Sequence, residues 1–188
     1  APKGVVWDMS GGWGGRLLGA IRAGLKHYTA TEPSNLTHKG LIALGNDFKK
    51  QSANKSFSFE IQKLGSEVYK PQRASLDLCF TSPPYFNLEK YADEPTQSFK
   101  KFDTKDAWVE GFLIPTLQNC HYGLKNGKYC LVNIADPKKS KGISLETETI
   151  KAARVAGFSH VNTLLLILKA PLGSGATYKT EPVFVFKK

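Results

Sequence analysis

Three parts of this sequence have the residue types and spacing of a binding or catalytic site. The first is a glycine-rich turn at residues 8–16, with the sequence DMSGGWGGR. The second is Glu32, which follows Gly12 by 20 residues. The third is the segment 77–85, DLCFTSPPY, in which an apolar run meets two prolines and a tyrosine. Together they predict a site for a nucleotide-like ligand and a second flat, polar ring.

The glycine-rich turn predicts a ligand-binding loop. Glycines let the backbone turn sharply and approach a ligand without a Cβ in the way. The helix that follows offers unpaired backbone N–H groups at its start. We therefore expect Ser10, Gly11, Gly12 and Gly14 to contact a ligand. Asp8, at the end of the preceding strand, either accepts a hydrogen bond from that ligand or braces the loop.

Glu32 is an acidic residue at the end of the second predicted strand. In nucleotide-binding α/β folds this place holds a carboxylate that accepts hydrogen bonds from ribose hydroxyls. The alternative is a carboxylate at a helix start, with Pro33 in the first turn. We favour ribose binding because the glycines lie upstream, and a carboxylate here disfavours a 2′-phosphorylated nucleotide.

The Ser82–Tyr85 segment predicts a site for a planar heterocycle that carries an amino group. Pro83 and Pro84 fix the backbone and lack N–H donors, so only carbonyl groups face outward. Ser82 can orient a ligand amine, and Tyr85 offers a ring for stacking. The alternative is an ordinary strand-ending turn with a packed tyrosine.

Hydrophobic periodicity and turn residues predict how these parts are positioned. Strands are predicted at 5–8, 26–32, 57–61, 75–81, 128–135, 159–168 and 182–186, and helices at 16–23, from 33 onward, 106–124 and 145–156. Residues 86–105 are predicted to form a loop, and Pro115 to kink its helix. This alternation predicts an α/β fold with a mostly parallel, doubly wound sheet, closed by a C-terminal antiparallel hairpin.

Composition narrows the classes of function. The chain has 188 residues and a formal net charge of +10, which fits a polyanionic partner. No apolar run approaches the roughly 20 residues of a membrane span. The three cysteines and four histidines lack metal-site spacing, so we expect buried, reduced cysteines, no metal and an intracellular protein, cytoplasmic or associated with DNA in the nucleoid or nucleus.

The glycine-rich turn, the strand-end glutamate and the Ser-Pro-Pro-Tyr segment together resemble the S-adenosylmethionine-dependent DNA amino-methyltransferases. These enzymes methylate cytosine N4 or adenine N6. Their first motif is roughly D-P-F-x-G-x-G-G, of which this chain keeps Asp8, Gly12, Gly14 and Gly15 but not the proline and phenylalanine. Their catalytic motif, [DNS]-P-P-[YFW], matches Ser82 to Tyr85 in full. The resemblance spans nearly the whole chain.

The resemblance implies a Rossmann-like methyltransferase fold and a role for each part of the site. The glycine-rich turn and Asp8 would hold the methionine part of S-adenosylmethionine, and Glu32 its ribose. Either Ser66 or Glu67 would lie near its adenine. These contacts are the implied cofactor site.

The target base would be flipped out of the duplex and methylated by direct transfer. Ser82 and the Pro83 carbonyl would accept hydrogen bonds from its amino group, and Tyr85 would stack on it. A cytosine C5 enzyme instead needs a Pro-Cys pair, and the sequence has none.

Basic loops are expected beside this site, because the carboxyl ends of parallel strands share one edge of the sheet. Lys138, Lys139, Lys141 and Lys179 are candidate phosphate contacts.

Residues 1–188 are expected to form a single catalytic domain without a target-recognition region, so a recognition subunit or a further domain would choose the DNA sequence. The alternatives are an RNA amino-methyltransferase and a silent nucleic-acid-binding subunit with the same fold.

Overall fold

Strands and helices alternate along the chain and build one seven-stranded sheet. A computed structural model describes residues 4–52, 54–86, 90–136, 144–168 and 179–188. The strands are β1 (Val5–Asp8), β2 (His27–Thr31), β3 (Ser58–Gln62), β4 (Leu76–Thr81), β5 (Leu124–Asn133), β6 (Ser159–Leu168) and β7 (Lys179–Lys187). The helices are α1 (Gly15–Ala23), α2 (Asn35–Lys49), α3 (Ser98–Lys101), α4 (Lys105–Trp108), α5 (Ile114–Gly123) and α6 (Leu145–Val155).

The strand order is β3-β2-β1-β4-β5-β7-β6. The first five strands are parallel, and β7 is antiparallel to both of its neighbours, β5 and β6. The predicted mostly parallel sheet with a C-terminal antiparallel hairpin is therefore confirmed. The hairpin has its second strand inside the sheet and its first strand at the edge. The chain adds β2 and β3 on one side of β1 and then crosses over to add β4 on its other side. At such a switch point a crevice forms beyond the carboxyl ends of the two adjacent strands, here β1 and β4.

The two faces of the sheet are covered by different helices. Successive side chains of a strand point to opposite faces, so Val6 and Trp7 of β1 belong to different hydrophobic clusters. Val6 packs with residues of α1 and α2, including Leu17 and Leu41. Trp7 packs in the larger cluster, which includes α4, α5 and α6. This layering fixes β1 and the turn that follows it from both sides.

Two stretches differ from the sequence-based expectation. The predicted loop 86–105 contains α3, a helix of four residues and too short to leave a hydrophobic period in the sequence. The helix predicted at 106–124 begins at Lys105 and contains a π-helical turn at Val109–Leu113, which ends two residues before Pro115. The wider turn accommodates the missing N–H and the ring of the proline.

Strand β5 also begins earlier than predicted, at Leu124 instead of Lys128. Gly127 has φ +74, and the pairing of β4 with β5 shifts register in this region. Glycine at a positive φ is typical of a bulge. Because glycine has a weak strand propensity, the sequence did not predict the first four residues of the strand.

The cysteines behave as predicted from the sequence. Cys79, Cys120 and Cys130 are free and buried in the larger cluster. Within the described ranges, no group of three or more metal-binding side chains comes together. No described helix has the length and apolarity needed to span a membrane.

Candidate functional site

A cavity of about 410 Å³ lies at the carboxyl ends of β1, β2 and β4. Its size is in the usual range for small-molecule sites. Residues from every part of the predicted site line it: Ser10, Gly12, Glu32, Ser66, Glu67, Ser82 and Pro84. The cavity is thus the place where the glycine-rich turn, the strand-end glutamate and the Ser-Pro-Pro-Tyr segment meet.

The glycines of the glycine-rich turn have two structural roles: one lines the cavity, and others allow close packing against α2. Gly12 lines the cavity and has φ +53, a backbone conformation that other residues adopt with strain. Gly14 has φ +88 and precedes the first residue of α1. A Cβ at Gly11 would lie 2.8 Å from a methyl carbon of Leu41. Gly11 and Gly14 therefore serve close packing against α2, and Gly12 lies on the cavity itself.

Asp8 is buried behind the turn and braces it. Its carboxylate accepts hydrogen bonds from Arg16 Nε (2.7 Å), the Tyr28 hydroxyl (2.6 Å) and the Ser10 N–H (3.1 Å). Arg16 also donates to the Ser10 carbonyl. Burial raises the pKa of Asp8, although its pairing with Arg16 favours the charged form. Asp8 does not line the cavity, so its contacts match the bracing alternative.

Glu32 lies just after β2 and faces the cavity. Its Oε2 accepts from the Gly12 N–H (3.2 Å) and its Oε1 from the Ser34 N–H (3.0 Å). Burial raises the pKa of Glu32, and these two N–H donors partly oppose the rise. A carboxylate has about four acceptor positions, so it can still accept from two hydroxyl groups of a ligand.

The two candidates for an adenine contact already have partners in the protein. The Ser66 hydroxyl lies 2.8 Å from that of Thr116. The Glu67 carboxylate forms an ion pair with Lys101. Both residues line the cavity, and neither is distinguished from the other by its position there.

In the Ser82–Tyr85 segment, Ser82 and Pro84 line the cavity, whereas Pro83 and Tyr85 do not. The Pro84 carbonyl accepts from the N–H of Phe86 (2.9 Å), which has φ +52 and is buried. The Pro83 carbonyl accepts no hydrogen bond from the described part of the chain. The Tyr85 ring packs beside the larger hydrophobic cluster, and its hydroxyl donates to Glu181 of β7 (3.5 Å).

The structure does not describe the side chains of the four candidate phosphate-binding lysines. Lys138, Lys139 and Lys141 lie outside the described residues. Lys179 is the first residue of β7, and only the backbone of Lys179 is described. The end of β6 and the start of β7 are at the same edge of the sheet as the cavity, because β6 runs parallel to β5.

Part of the predicted loop 86–105 closes one side of the cavity. We call residues 90–101 the cover segment; its Tyr91, Thr96, Gln97 and Ser98 line the cavity. Glu94 accepts hydrogen bonds from the Ser34 hydroxyl and the Asn35 N–H, both at 3.0 Å. The Asn35 N–H, followed by the Ser34 hydroxyl, holds the pKa of Glu94 below its usual value. The polar, turn-rich sequence of the cover segment predicted a loop, and it gave no indication that Glu94 would bind Ser34 and Asn35.

Trp13 also lines the cavity and was not predicted from the sequence to be a site residue. Its side chain is 86% exposed and lines the cavity from the middle of the glycine-rich turn. The remaining tryptophans, Trp7 and Trp108, are fully buried. An exposed indole at the mouth of a cavity is a ready stacking surface for a ligand ring.

No protein-family model matches this sequence, and no curated protein is significantly similar to it. Solved structures do resemble it. A SAM-dependent methyltransferase from Methanosarcina mazei has a TM-score of 0.64 at 10% identity, over 100% of this chain and 93% of that one. The chain has the Rossmann-like methyltransferase fold.

Two further structures share this fold. A protein from Pyrococcus horikoshii assigned as an RNA methyltransferase has a TM-score of 0.60 at 19% identity, over 98% of this chain and 74% of that one. The 1,6-didemethyltoxoflavin-N1-methyltransferase from Burkholderia thailandensis has a TM-score of 0.62 at 14% identity, over 99% and 71% of the two chains. That structure holds 1,6-didemethyltoxoflavin and S-adenosylhomocysteine.

Proposed function

We propose that this chain binds S-adenosylmethionine and methylates the exocyclic amino group of a base in DNA, adenine N6 or cytosine N4. One observation carries the proposal: Ser82 and Pro84 line the same cavity as Gly12 and Glu32. A group held at the glycine-rich turn would therefore lie beside a group held at the Ser-Pro-Pro-Tyr segment. Methyl transfer between two bound molecules requires this proximity.

The residues of the cavity fit the cofactor. Gly12 provides a surface without a Cβ, and Glu32 retains acceptor positions for the two ribose hydroxyls. The polar atoms that lack partners at the cavity are also consistent with a ligand, since Gln97 and Ser98 line it and each has a buried side-chain atom without a hydrogen bond from the described residues. When bound, S-adenosylmethionine supplies an electrophilic methyl group.

The Ser82–Tyr85 segment suits an amine. Ser82 lines the cavity and offers Oγ as an acceptor. The carbonyl of the adjacent Pro83 is a second acceptor, without a partner among the described residues. Accepting from both N–H groups of a base amine would favour a more pyramidal, nucleophilic nitrogen. The cofactor would give up its methyl group to this nitrogen and leave as S-adenosylhomocysteine, and the surplus proton of the amine would pass to solvent. Tyr85 would stack on the base once it moves toward the cavity.

DNA is the proposed substrate because of the Ser-Pro-Pro-Tyr segment and the net charge of +10. The lysines at 138, 139, 141 and 179 would contact phosphates, and residues 1–188 would act as a catalytic domain. A recognition subunit or a further domain would then read the sequence. The family resemblance supports DNA over RNA, and the experiment below includes both.

The experiment is methyl transfer from radiolabelled S-adenosylmethionine to random-sequence duplex DNA and, in parallel, to RNA of matched composition. Digestion and mass analysis of the nucleosides identify the methylated base. Ser82→Ala is the matched variant, and we expect it to lower the rate by about 100-fold while S-adenosylhomocysteine binding stays intact. Label in DNA as N6-methyladenine or N4-methylcytosine supports the proposal.

Three other results would redirect it. Label in RNA alone would make the chain an RNA amino-methyltransferase. Cofactor binding without transfer to either nucleic acid would favour the silent subunit. A folded protein that binds neither S-adenosylmethionine nor S-adenosylhomocysteine would overturn the proposed activity altogether.

A further inference from the structure

The cover segment carries two polar side chains that are buried and incompletely bonded. Gln97 and Ser98 are 8% and 9% exposed, and both line the cavity. The amide Nε2 of Gln97 and the hydroxyl of Ser98 have no hydrogen-bond partner among the described residues. Buried donors are nearly always paired in folded proteins, because leaving one unpaired loses its hydration without replacement. Their position at a cavity indicates that a ligand supplies the partners.

The contacts of the cover segment show which half of the cavity it faces. Glu94 is bound to Ser34 and Asn35, and the Thr96 hydroxyl donates to the Pro33 carbonyl (3.3 Å). These are the residues that directly follow Glu32. The segment therefore docks on the loop after β2.

The far end of the same segment is tied to the loop after β3. Lys101 forms an ion pair with Glu67, next to Ser66. Gln97 and Ser98 thus lie in the stretch of the cover segment between its contacts with the loop after β2 and its contact with the loop after β3.

We propose that Gln97 and Ser98 bind the purine of the nucleoside cofactor, with the cover segment holding them over it. A carboxamide matches adenine because it can donate to a ring nitrogen and accept from the 6-amino group at the same time. The hydroxyls and carboxylates nearby are less available, since Ser66 already pairs with Thr116 and Glu67 with Lys101. This inference rests on the proposed function, because it takes the ligand to be S-adenosylmethionine.

The test is calorimetric binding of two probes, S-adenosylhomocysteine and 5′-methylthioadenosine. Both contain adenosine, but the second lacks the amino-acid part. Gln97→Met keeps the length of the side chain and removes its hydrogen bonds, and Ser98→Ala is an independent second variant. Gln51→Met, just beyond the C-terminal end of α2, is the matched control, because that glutamine is exposed and does not line the cavity.

We expect Gln97→Met to raise the Kd of both probes by the same factor, about tenfold, and Ser98→Ala by a smaller factor. Gln51→Met should leave both Kd values unchanged. A loss confined to S-adenosylhomocysteine would overturn the purine assignment, because the contact would then be to the amino-acid part. Unchanged binding of both probes by both variants would also overturn it.

The outcomes separate this inference from the proposed function. Unchanged cofactor binding with a raised KM for nucleic acid would place Gln97 at the substrate and overturn the inference, while leaving methyl transfer standing. Failure of the wild-type chain to bind either probe would overturn both. Melting curves of each variant show whether a loss of binding is a loss of folding.

Discussion

The backbone N–H of Gly12 donates a hydrogen bond to Oε2 of Glu32, at 3.2 Å between nitrogen and oxygen. This bond joins the turn after β1 to the carboxylate after β2, at the point where the two strands end side by side. The second oxygen, Oε1, is held by the Ser34 N–H at the start of α2. Glu32 therefore has one orientation, set by two separate elements, and presents its remaining acceptor positions to the cavity.

Replacing Glu32 by Gln should weaken S-adenosylhomocysteine binding by about tenfold, because the amide offers one acceptor oxygen in place of two. Binding to the wild-type protein should also weaken as the pH falls through the pKa of Glu32, which burial raises above its usual 4.5. Calorimetry across pH 4.5 to 8 measures both effects. In Glu32→Gln this pH dependence should flatten, and Asp47→Asn, an exposed site on α2, should retain it.

The raised pKa of Glu32 also has a consequence for folding. Its folded-state pKa lies above the unfolded value of 4.5, so its contribution to stability is present below 4.5 and is lost as the pH rises through the folded-state pKa. Glu32→Gln should remove that loss. An identical slope of unfolding free energy against pH in the two proteins would contradict the burial of this carboxylate.

The brace behind the glycine-rich turn should matter for stability. Asp8→Asn leaves Arg16 without its carboxylate and should lower the free energy of unfolding by about 3 kcal/mol. Tyr28→Phe removes only the 2.6 Å hydrogen bond to Asp8 and should cost about 1.5 kcal/mol. Urea unfolding of both single variants and the double variant measures their coupling. Additive losses would show that the two side chains act separately.

The ring and the hydroxyl of Tyr85 should have separable effects. Tyr85→Ala should strongly reduce methyl transfer and leave S-adenosylhomocysteine binding nearly unchanged, because Tyr85 does not line the cavity. Tyr85→Phe keeps the ring and loses the contact with Glu181, so it should retain most of the activity. Steady-state kinetics and calorimetry distinguish the two, with the exposed Tyr122→Ala as control. Equal loss of transfer and of cofactor binding in Tyr85→Ala would contradict the stacking role.

Docking of the cover segment should control how long the cofactor stays bound. Glu94→Gln weakens the acceptor of the Ser34 and Asn35 hydrogen bonds, so S-adenosylhomocysteine should dissociate several-fold faster. Trp13 is the exposed tryptophan at the cavity, and its fluorescence in a stopped-flow experiment follows release. Glu110→Gln, at an exposed position outside the segment, should behave as wild type. An unchanged dissociation rate in Glu94→Gln would show that docking is unnecessary for retention.

The fold was largely predictable from the sequence because strands and helices alternate with clear apolar periods. The position of β7 between β5 and β6 was not, since nothing local in either strand specifies which neighbour it pairs with. The meeting of Gly12, Glu32 and Ser82 at one cavity follows from a general property of parallel sheets, whose carboxyl ends share an edge.

The roles of particular side chains depended on tertiary contacts that the sequence does not display. Asp8 could have faced the ligand or the turn, and only its position beside Tyr28 and Arg16 distinguishes the two. Gln97 and Ser98 lie in a polar stretch that resembles any surface loop. Their burial arises from the docking of Glu94 on α2, a contact across 59 residues of chain.

The reactivity of the three buried cysteines reports how often the folded protein opens locally. Cys79, Cys120 and Cys130 are buried between β4, β5 and α5, so a reagent reaches them only when that space opens. Burial also raises the pKa of Cys79 and Cys120, which disfavours the reactive thiolate in the closed state. A thiol reagent should then modify the native chain at the rate of that exposure, without any added label. A ligand that binds only the folded form should slow the modification in proportion to its occupancy, and so report its affinity in the absence of catalysis.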